Sequence, residues 1–247
     1  MPEGPSIVIL KEAVQPFIGK KVRYASGNTK KVDTSLFCGK TVIDFKSWGK
    51  HFLICFPDIT IRIHFMLFGS YRINERKETS PRLGILFEDE TELNFYACSV
   101  QLITEPLDAV YDWTADVMNE QWDEEKALNK LKQRPHMLAC DALLDQNIFS
   151  GVGNIIKNEV LFRIRVHPES RIGAIPAEKI KELLVEAVRY SFQFLEWKME
   201  FTLKQHWLAH NKSICPRDNV RFQRAYLGKF KRRSFFCTNC QVLYLKD

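Results

Sequence analysis

The chain has 247 residues, enough for one large domain or two of ordinary size. Its hydrophobic share of 45% and charged share of 27% describe a globular protein, and no apolar run approaches the length of a membrane span. The net charge of +6 is unevenly placed: residues 198–247 hold eleven Lys/Arg against three Asp/Glu, so the remainder is slightly acidic.

Chain order begins with Met1-Pro2-Glu3-Gly4-Pro5. No basic region precedes an apolar stretch, so no secretory signal is expected. Removal of Met1 would leave Pro2 as a secondary-amine terminus. An α-amino group has a pKa near ~8, so a useful fraction is unprotonated at neutral pH. Its attack on an aldehyde gives an obligate cationic iminium, an electron sink of the Schiff-base kind. Glu3 puts a general acid or base next to it. Taken alone, these residues are equally an ordinary frayed start.

Ile7, Leu10, Val14 and Phe17 recur at helical spacing over residues 6–17, and Ser6 is placed to cap that helix. Strand-like segments follow at Thr41–Phe45, His51–Phe56, Thr60–Phe65, Ser70–Ile73, Arg82–Phe87 and Glu92–Tyr96, with Glu88-Asp89-Glu90 as a hairpin turn. Their spacing predicts an antiparallel sandwich or barrel. Residues 106–122 lack a period and read as a linker. Helices are expected at 123–132, 137–146, 154–163 and 176–197. The last is amphipathic through Ile180, Leu183, Leu184, Ala187, Val188, Ser191 and Leu195. A short β-hairpin pattern occupies 213–247.

Between two of these helices, Leu143–Ile155 contains Gly151, Gly153 and Asn154. The glycines permit tight turns and close backbone approach, and Asn154 with the free N–H groups of a helix start suits a phosphate. An ordinary helix–turn–helix with a capping Asn fits the spacing as well. The seven cysteines divide into two sets. Cys38, Cys55, Cys98 and Cys140 lie in apolar contexts and read as reduced core thiols of a cytosolic protein. Cys215-Pro216-Arg217-Asp218 and Cys237-Thr238-Asn239-Cys240 form two close pairs that would hold structural zinc if Asp218 takes the place of a cysteine. A hairpin held by packing alone is the other reading. The basic C-terminal block is interleaved with Phe222, Tyr226, Phe230, Phe235 and Phe236, which suggests contact with a polyanion.

Four features occur in one order: Pro2-Glu3-Gly4-Pro5, Gly49-Lys50-His51-Phe52-Leu53, the Leu144–Asn154 turn, and Cys237-x-x-Cys240-Gln241. Together they resemble the formamidopyrimidine-DNA glycosylase and endonuclease VIII family along nearly the full chain. The resemblance implies an α+β multidomain fold: an N-terminal helix with an antiparallel β-sandwich over 1–105, a linker over 106–122, a helix–two-turn–helix domain over 123–212 and a zinc-finger-like hairpin over 213–247. It implies a bifunctional glycosylase and abasic-site lyase of base excision repair, acting on damaged double-stranded DNA without a catalytic cofactor. Nothing requires an oligomer or a membrane, so a cytoplasmic monomer is expected, with the nucleoid if the source is prokaryotic.

By position, Pro2 resembles the nucleophile, Glu3 the acid of sugar-ring opening, and Lys50 the strand lysine of catalysis and phosphate binding. Asn154 resembles the phosphate-gripping asparagine. Arg232 resembles the catalytic and DNA-binding hairpin arginine, with Arg233 its substitute if the register slips by one. Structural zinc would fall to Cys215, Asp218, Cys237 and Cys240.

The chain also departs from the family. Ser6 replaces a carboxylate found in many members, and the finger loop is longer than usual. Met66, within His64–Gly69, matches an intercalating Met; Met66 or Phe68 is either an apolar wedge or core. Leu93–Val100 lacks the Arg-Phe pair of formamidopyrimidine-type enzymes and is more like endonuclease VIII, which favours oxidised pyrimidines as substrates. A DNA-binding family member that has lost base excision is the alternative, motivated by Ser6 and the finger.

Overall fold

A computed structural model describes residues 2–245 and divides at Tyr111/Asp112 into two compact units. Met1 and the last two residues lie outside the description. In the first unit, helix α1 (Gly4–Ala13) is followed by a 3-10 turn at Gln15–Phe17. The expected helix over 6–17 thus starts earlier and ends in a tighter turn. Its N-cap is Glu3, whose carbonyl accepts the Ser6 N–H at 2.8 Å, so Ser6 lies inside the first turn and does not cap. Pro5, whose missing N–H costs nothing in a first turn, and the buried Ile7 and Leu10 fix the entry and the inward face.

Eight strands follow: β1 (Val22–Ser26), β2 (Asp44–Trp48), β3 (His51–Cys55), β4 (Thr60–His64), β5 (Ser70–Ile73), β6 (Leu83–Phe87), β7 (Glu92–Tyr96) and β8 (Ser99–Ile103). They form two antiparallel sheets, ordered β1-β6-β7-β5 and β2-β3-β4-β8. A single core joins Leu10, Val14 and Phe17 to Phe45, Phe52, Ile63, Leu83, Phe87 and Phe95. Helix α1 packs on β2 and β3. The expected strand at Thr41–Phe45 is displaced to β2, and β1 and β8 add to the segments singled out by pattern within the sandwich region. The chain changes sheets between β7 and β8 through only Ala97, at φ 47°, and buried Cys98.

In the second unit, the stretch expected as a linker contains a 3-10 turn at Trp113–Ala115, and Trp122 stacks on Phe149 at 5.9 Å. With α2 (Leu107–Val110) closing the first unit, the helices of the second are α3 (Glu124–Lys132), α4 (Ala139–Leu144), α5 (Asn154–Arg163) and α6 (Ala177–Met199). A hairpin of β9 (Gln223–Leu227) and β10 (Arg232–Phe236) completes it.

Helix α5 is buried on every side from Asn154 to Phe162, and four of those residues are polar or charged: Asn154, Lys157, Asn158 and Glu159. Such groups are tolerated only when hydrogen-bonded. The Glu159 carboxylate accepts the backbone N–H groups of Leu208, Ala209 and His210 at 2.7–3.1 Å. The Asn158 amide donates toward His210 Nδ1 at 3.1 Å. Burial, helped by the Lys157 charge, pushes His210 down to about 4, so the ring is a neutral acceptor at neutral pH.

Cys55, Cys98 and Cys140 are buried as expected, whereas Cys38 is exposed and is no core thiol, since it follows the 3-10 turn at Thr34–Phe37 in which Phe37 takes the buried place.

Glu159→Ala orphans three backbone N–H groups at once. It is expected to cost about 3 kcal/mol or more, seen in thermal denaturation as a midpoint lower by roughly 6–12 °C. The same change at exposed Glu75, which pairs with Arg72 at 3.7 Å, should leave the midpoint where it was.

Candidate functional site

The residues singled out from the sequence fall into the two units, and each set is built by local structure. In the first unit, Pro2 is half-buried and leads directly into α1. Glu3 is completely buried, yet its side chain is not used to cap the helix. A carboxyl group is rarely buried to this degree unless it is engaged. Lys50 sits in the two-residue connection of the β2–β3 hairpin, where Trp48 pairs with His51. Gly49 precedes it at φ 53°, the backbone sign that such hairpin turns demand at their first central position. The strands joined by this turn are those on which α1 packs.

Next to Lys50, His51 and His64 meet edge to face at 5.6 Å across β3 and β4. Burial, with the Arg62, His64 and Lys50 charges, lowers His51 to about 3, and burial with Lys50 and Arg62 lowers His64. Two uncharged imidazoles therefore leave the positive charge at this end of the strands to the Lys50 amine and Arg62. His64 Nδ1 lies 3.4 Å from Met66 Sδ. Met66 and Phe68 are 56% and 83% exposed, so both project from the loop after β4 and neither is core.

In the second unit, Gly151 takes φ 97° in the turn and Gly153, not Asn154, is the N-cap of α5. Asn154 occupies the first helical turn, and its amide donates to the Arg233 carbonyl at 3.0 Å. Lys157 and Asn158 donate to the same carbonyl at 3.4 and 3.2 Å. Lys157 Nζ also reaches Ser234 Oγ at 2.7 Å, and the Phe235 N–H donates to Asn158 Oδ1 at 3.2 Å. The start of α5 and the arginine strand are thereby one rigid element. Sequence reading missed Lys157 and Asn158 altogether. Their spacing from Asn154, one turn along α5, is the only sequence signal that they share its face.

Asp141 of α4 fixes the other end of the hairpin by accepting the N–H groups of Lys229 and Phe230 at 2.9 and 3.4 Å. Gly228, at φ 69°, is required there, since a Cβ would fall 2.3 Å from the Asp141 carboxylate. Arg232 is half-buried and Arg233 exposed, on successive and therefore opposite-facing positions of β10.

Cys215, Asp218, Cys237 and Cys240 converge, with their ligand atoms all within 4.8 Å of one another. Zinc bound by thiolates at ~2.3 Å in a tetrahedron requires sulfurs about 3.8 Å apart. Cys215 and Cys240 stand at 3.8 Å, and Asp218 Oδ2 is 3.1 Å from Cys237 Sγ and 3.5 Å from Cys215 Sγ. Three sulfurs and one carboxylate oxygen therefore fit a structural zinc ion. Hydrogen bonds from Cys237 and Cys240 hold Asp218 below the usual carboxylate range. Burial raises Cys237 and pushes Cys240 up to about 12, so metal must displace thiol protons. Around this group, Arg217 stacks 4.1 Å over Phe162 and donates to the Phe162 and Arg163 carbonyls, capping α5 from the knuckle. Gln241 accepts the Cys237 N–H at 2.9 Å and donates to the Val166 carbonyl at 2.9 Å.

Comparison with known proteins gives a consistent result. The model of the formamidopyrimidine-DNA glycosylase N-terminal domain matches residues 1–98, and that of the formamidopyrimidine-DNA glycosylase H2TH domain matches residues 113–193. Endonuclease 8-like 2 of Bos taurus is 26% identical over 98% of this chain and 96% of its own length. Endonuclease 8-like 2 of Homo sapiens is 32% identical over 73% of this chain and 57% of its length, and endonuclease 8-like 3 of Xenopus laevis 28% over 85% and 36%. The chain thus spans nearly all of the bovine protein but only about half and a third of the other two. Among solved structures, a viral DNA glycosylase superposes with a TM-score of 0.86 at 19% identity, covering 97% of this chain and all of that one. The Lactococcus lactis formamidopyrimidine-DNA glycosylase, non-covalently bound to DNA containing an abasic site, gives 0.84 at 20% identity, covering 97% and 99%. Both likenesses are of fold. With two domain models matched in order and the helix, paired sheets, α5 turn and cysteine knuckle in place, the chain belongs to the formamidopyrimidine-DNA glycosylase/endonuclease VIII family.

Proposed function

We propose that this protein is a DNA glycosylase of base excision repair with abasic-site lyase activity, using Pro2 as the nucleophile. The observation that carries the reading is Glu3: a fully buried carboxyl, adjacent in sequence to the Pro2 nitrogen that removal of Met1 would free as a secondary amine.

The damaged nucleotide leaves the stack at a cost of a few kcal/mol that damage reduces. The Pro2 nitrogen forms a bond to C1′ as the C1′–base bond breaks; the base departs with that electron pair and takes up the proton that the amine gives up. Glu3 gives a proton to the ring oxygen, the sugar opens, and the nitrogen carries the cation as an iminium. The iminium acidifies C2′–H. Loss of that proton expels the 3′-phosphate, and water then releases Pro2. Lys50, Asn154, Arg232 and Arg233 hold phosphates, and Met66 enters the stack as an apolar wedge. Zinc, held by Cys215, Asp218, Cys237 and Cys240, shapes the hairpin and takes no part in the chemistry.

Oxidised pyrimidines are the favoured substrates in this reading. Its support is the two-residue crossing at Ala97–Cys98: no loop there presents an arginine to a partner base. A binding-only member remains the alternative, motivated by Ser6 and the longer finger loop, while the closeness of Asp218 to the sulfurs supports an intact knuckle.

On a duplex with one oxidised pyrimidine, protein with Met1 removed should excise the base and nick the strand. Protein retaining Met1 should do neither at a detectable rate, while Pro2→Gly should keep part of the activity through a primary amine. Full-rate nicking with Met1 in place would overturn the assignment of Pro2. Purified protein should carry about one zinc ion per chain. Zinc binding to the stripped protein in weak buffer should release roughly two to three protons per ion. Asp218→Ala should lower zinc occupancy while the first unit keeps its fold by circular dichroism; unchanged occupancy would remove Asp218 from the ligand set.

A further inference from the structure

Helix α6 ends in a Schellman arrangement. Its cap residue is Glu200, the Phe201 N–H donates to the Lys198 carbonyl at 3.2 Å, and the Thr202 N–H donates to the Trp197 carbonyl at 2.8 Å. The residue after the cap in this motif takes the left-handed conformation and is usually glycine, because a side chain there is strained. Here it is Phe201, at φ 61° and 94% exposed. Single exposed hydrophobic residues need no explanation. A bulky aromatic that accepts backbone strain while gaining no burial does need one.

The segment that follows is firmly held. Trp197 stacks on His206 at 4.2 Å and 7°, and the Leu208–His210 N–H groups are fixed by Glu159 of α5. Phe201 is therefore presented on a rigid support. Lys198 and Lys204 lie three residues to either side, within the chain's basic C-terminal block. A ring on a rigid support and offered to solvent, with Lys198 and Lys204 to either side in sequence and Glu200 beside it, suits the flat face of a nucleobase in a chain whose C-terminal block is basic.

We propose that Phe201 is a stacking platform for the face of one unpaired nucleobase. In a duplex the faces of paired bases are covered by their neighbours, so the ring would meet only a base that has left the stack. This inference rests on the reading of the protein as DNA-binding, and its test separates the two.

The test measures fluorescence anisotropy of two labelled duplexes. One carries a single unpaired thymine, and the other has a tetrahydrofuran abasic analogue in place of that nucleotide. Phe201→Gly should bind the first about tenfold more weakly than the unaltered protein and the second equally well, while Phe201→Trp should match the unaltered protein on both. Relief of strain should raise the thermal midpoint of Phe201→Gly by roughly 2–4 °C, so the loss cannot be ascribed to unfolding. Equal binding of both duplexes by Phe201→Gly and the unaltered protein would overturn the stacking role, as would an equal loss on both. If the unaltered protein binds neither duplex, the DNA-binding reading falls, and this inference with it.

Discussion

One carbonyl oxygen organises the second unit. The Arg233 backbone oxygen receives donors from Asn154, Lys157 and Asn158, three side chains from the first two turns of one helix. Each donor is buried, so leaving it unpaired would cost about 1–3 kcal/mol or more. The hairpin cannot shift against α5 without breaking several bonds together. The Asp141 contacts at the hairpin turn and the Arg217 cap on α5 act in the same sense from two other directions. Arg232 and Arg233 are thus carried on a strand whose position is dictated by the helix that begins with Asn154. If these side chains hold phosphates as proposed, such rigidity would fix those contacts relative to one another.

Lys157 gives this arrangement an electrostatic character as well. Its amine is wholly buried, bonded to Ser234 Oγ, and placed in the first turns of a helix whose N-terminus already bears partial positive charge. Its positive charge adds to burial in lowering His210. Burying an ammonium is costly, and its hydrogen bonds to the β10 strand offset part of that cost while tying the strand down. The finger continues the same design. Three sulfurs and Asp218 stand at spacings that a tetrahedral ion would satisfy, and the knuckle is joined to α5 through Arg217.

Much of this was legible in the sequence where patterns are local. The strands at His51–Cys55, Thr60–His64, Ser70–Ile73 and Glu92–Tyr96 alternate or run apolar between turn residues, and they form where expected. Strand β8 was not legible, because Ala97 and Cys98 carry no turn signal and the change of sheet happens within them. Strand β1 pairs across an irregularity between Val22 and Tyr24, which interrupts the alternation. Ser6 suggested a cap, but the helix starts earlier, through Gly4 and Pro5. The polar interior of α5 was also hidden. Lys157, Asn158 and Glu159 find partners some 50 to 77 positions away in sequence, which no local pattern reveals. Pro2, Glu3, Lys50, Asn154 and the cysteine pairs stand out in the sequence because their order and spacing resemble a family, and geometry adds what spacing cannot: Glu3 is buried and Asp218 faces the sulfurs.

The central claim is that the terminal proline forms a covalent iminium with an opened sugar. Borohydride reduction during reaction with a duplex containing one abasic site tests it most directly, since it converts the iminium into a stable amine whose position can be mapped by peptide mass spectrometry. The account predicts a one-to-one protein–DNA adduct with the modification on Pro2, and no adduct when Met1 is retained. An adduct mapped to Lys50 or another lysine, or none at all from protein that binds the duplex, would contradict it.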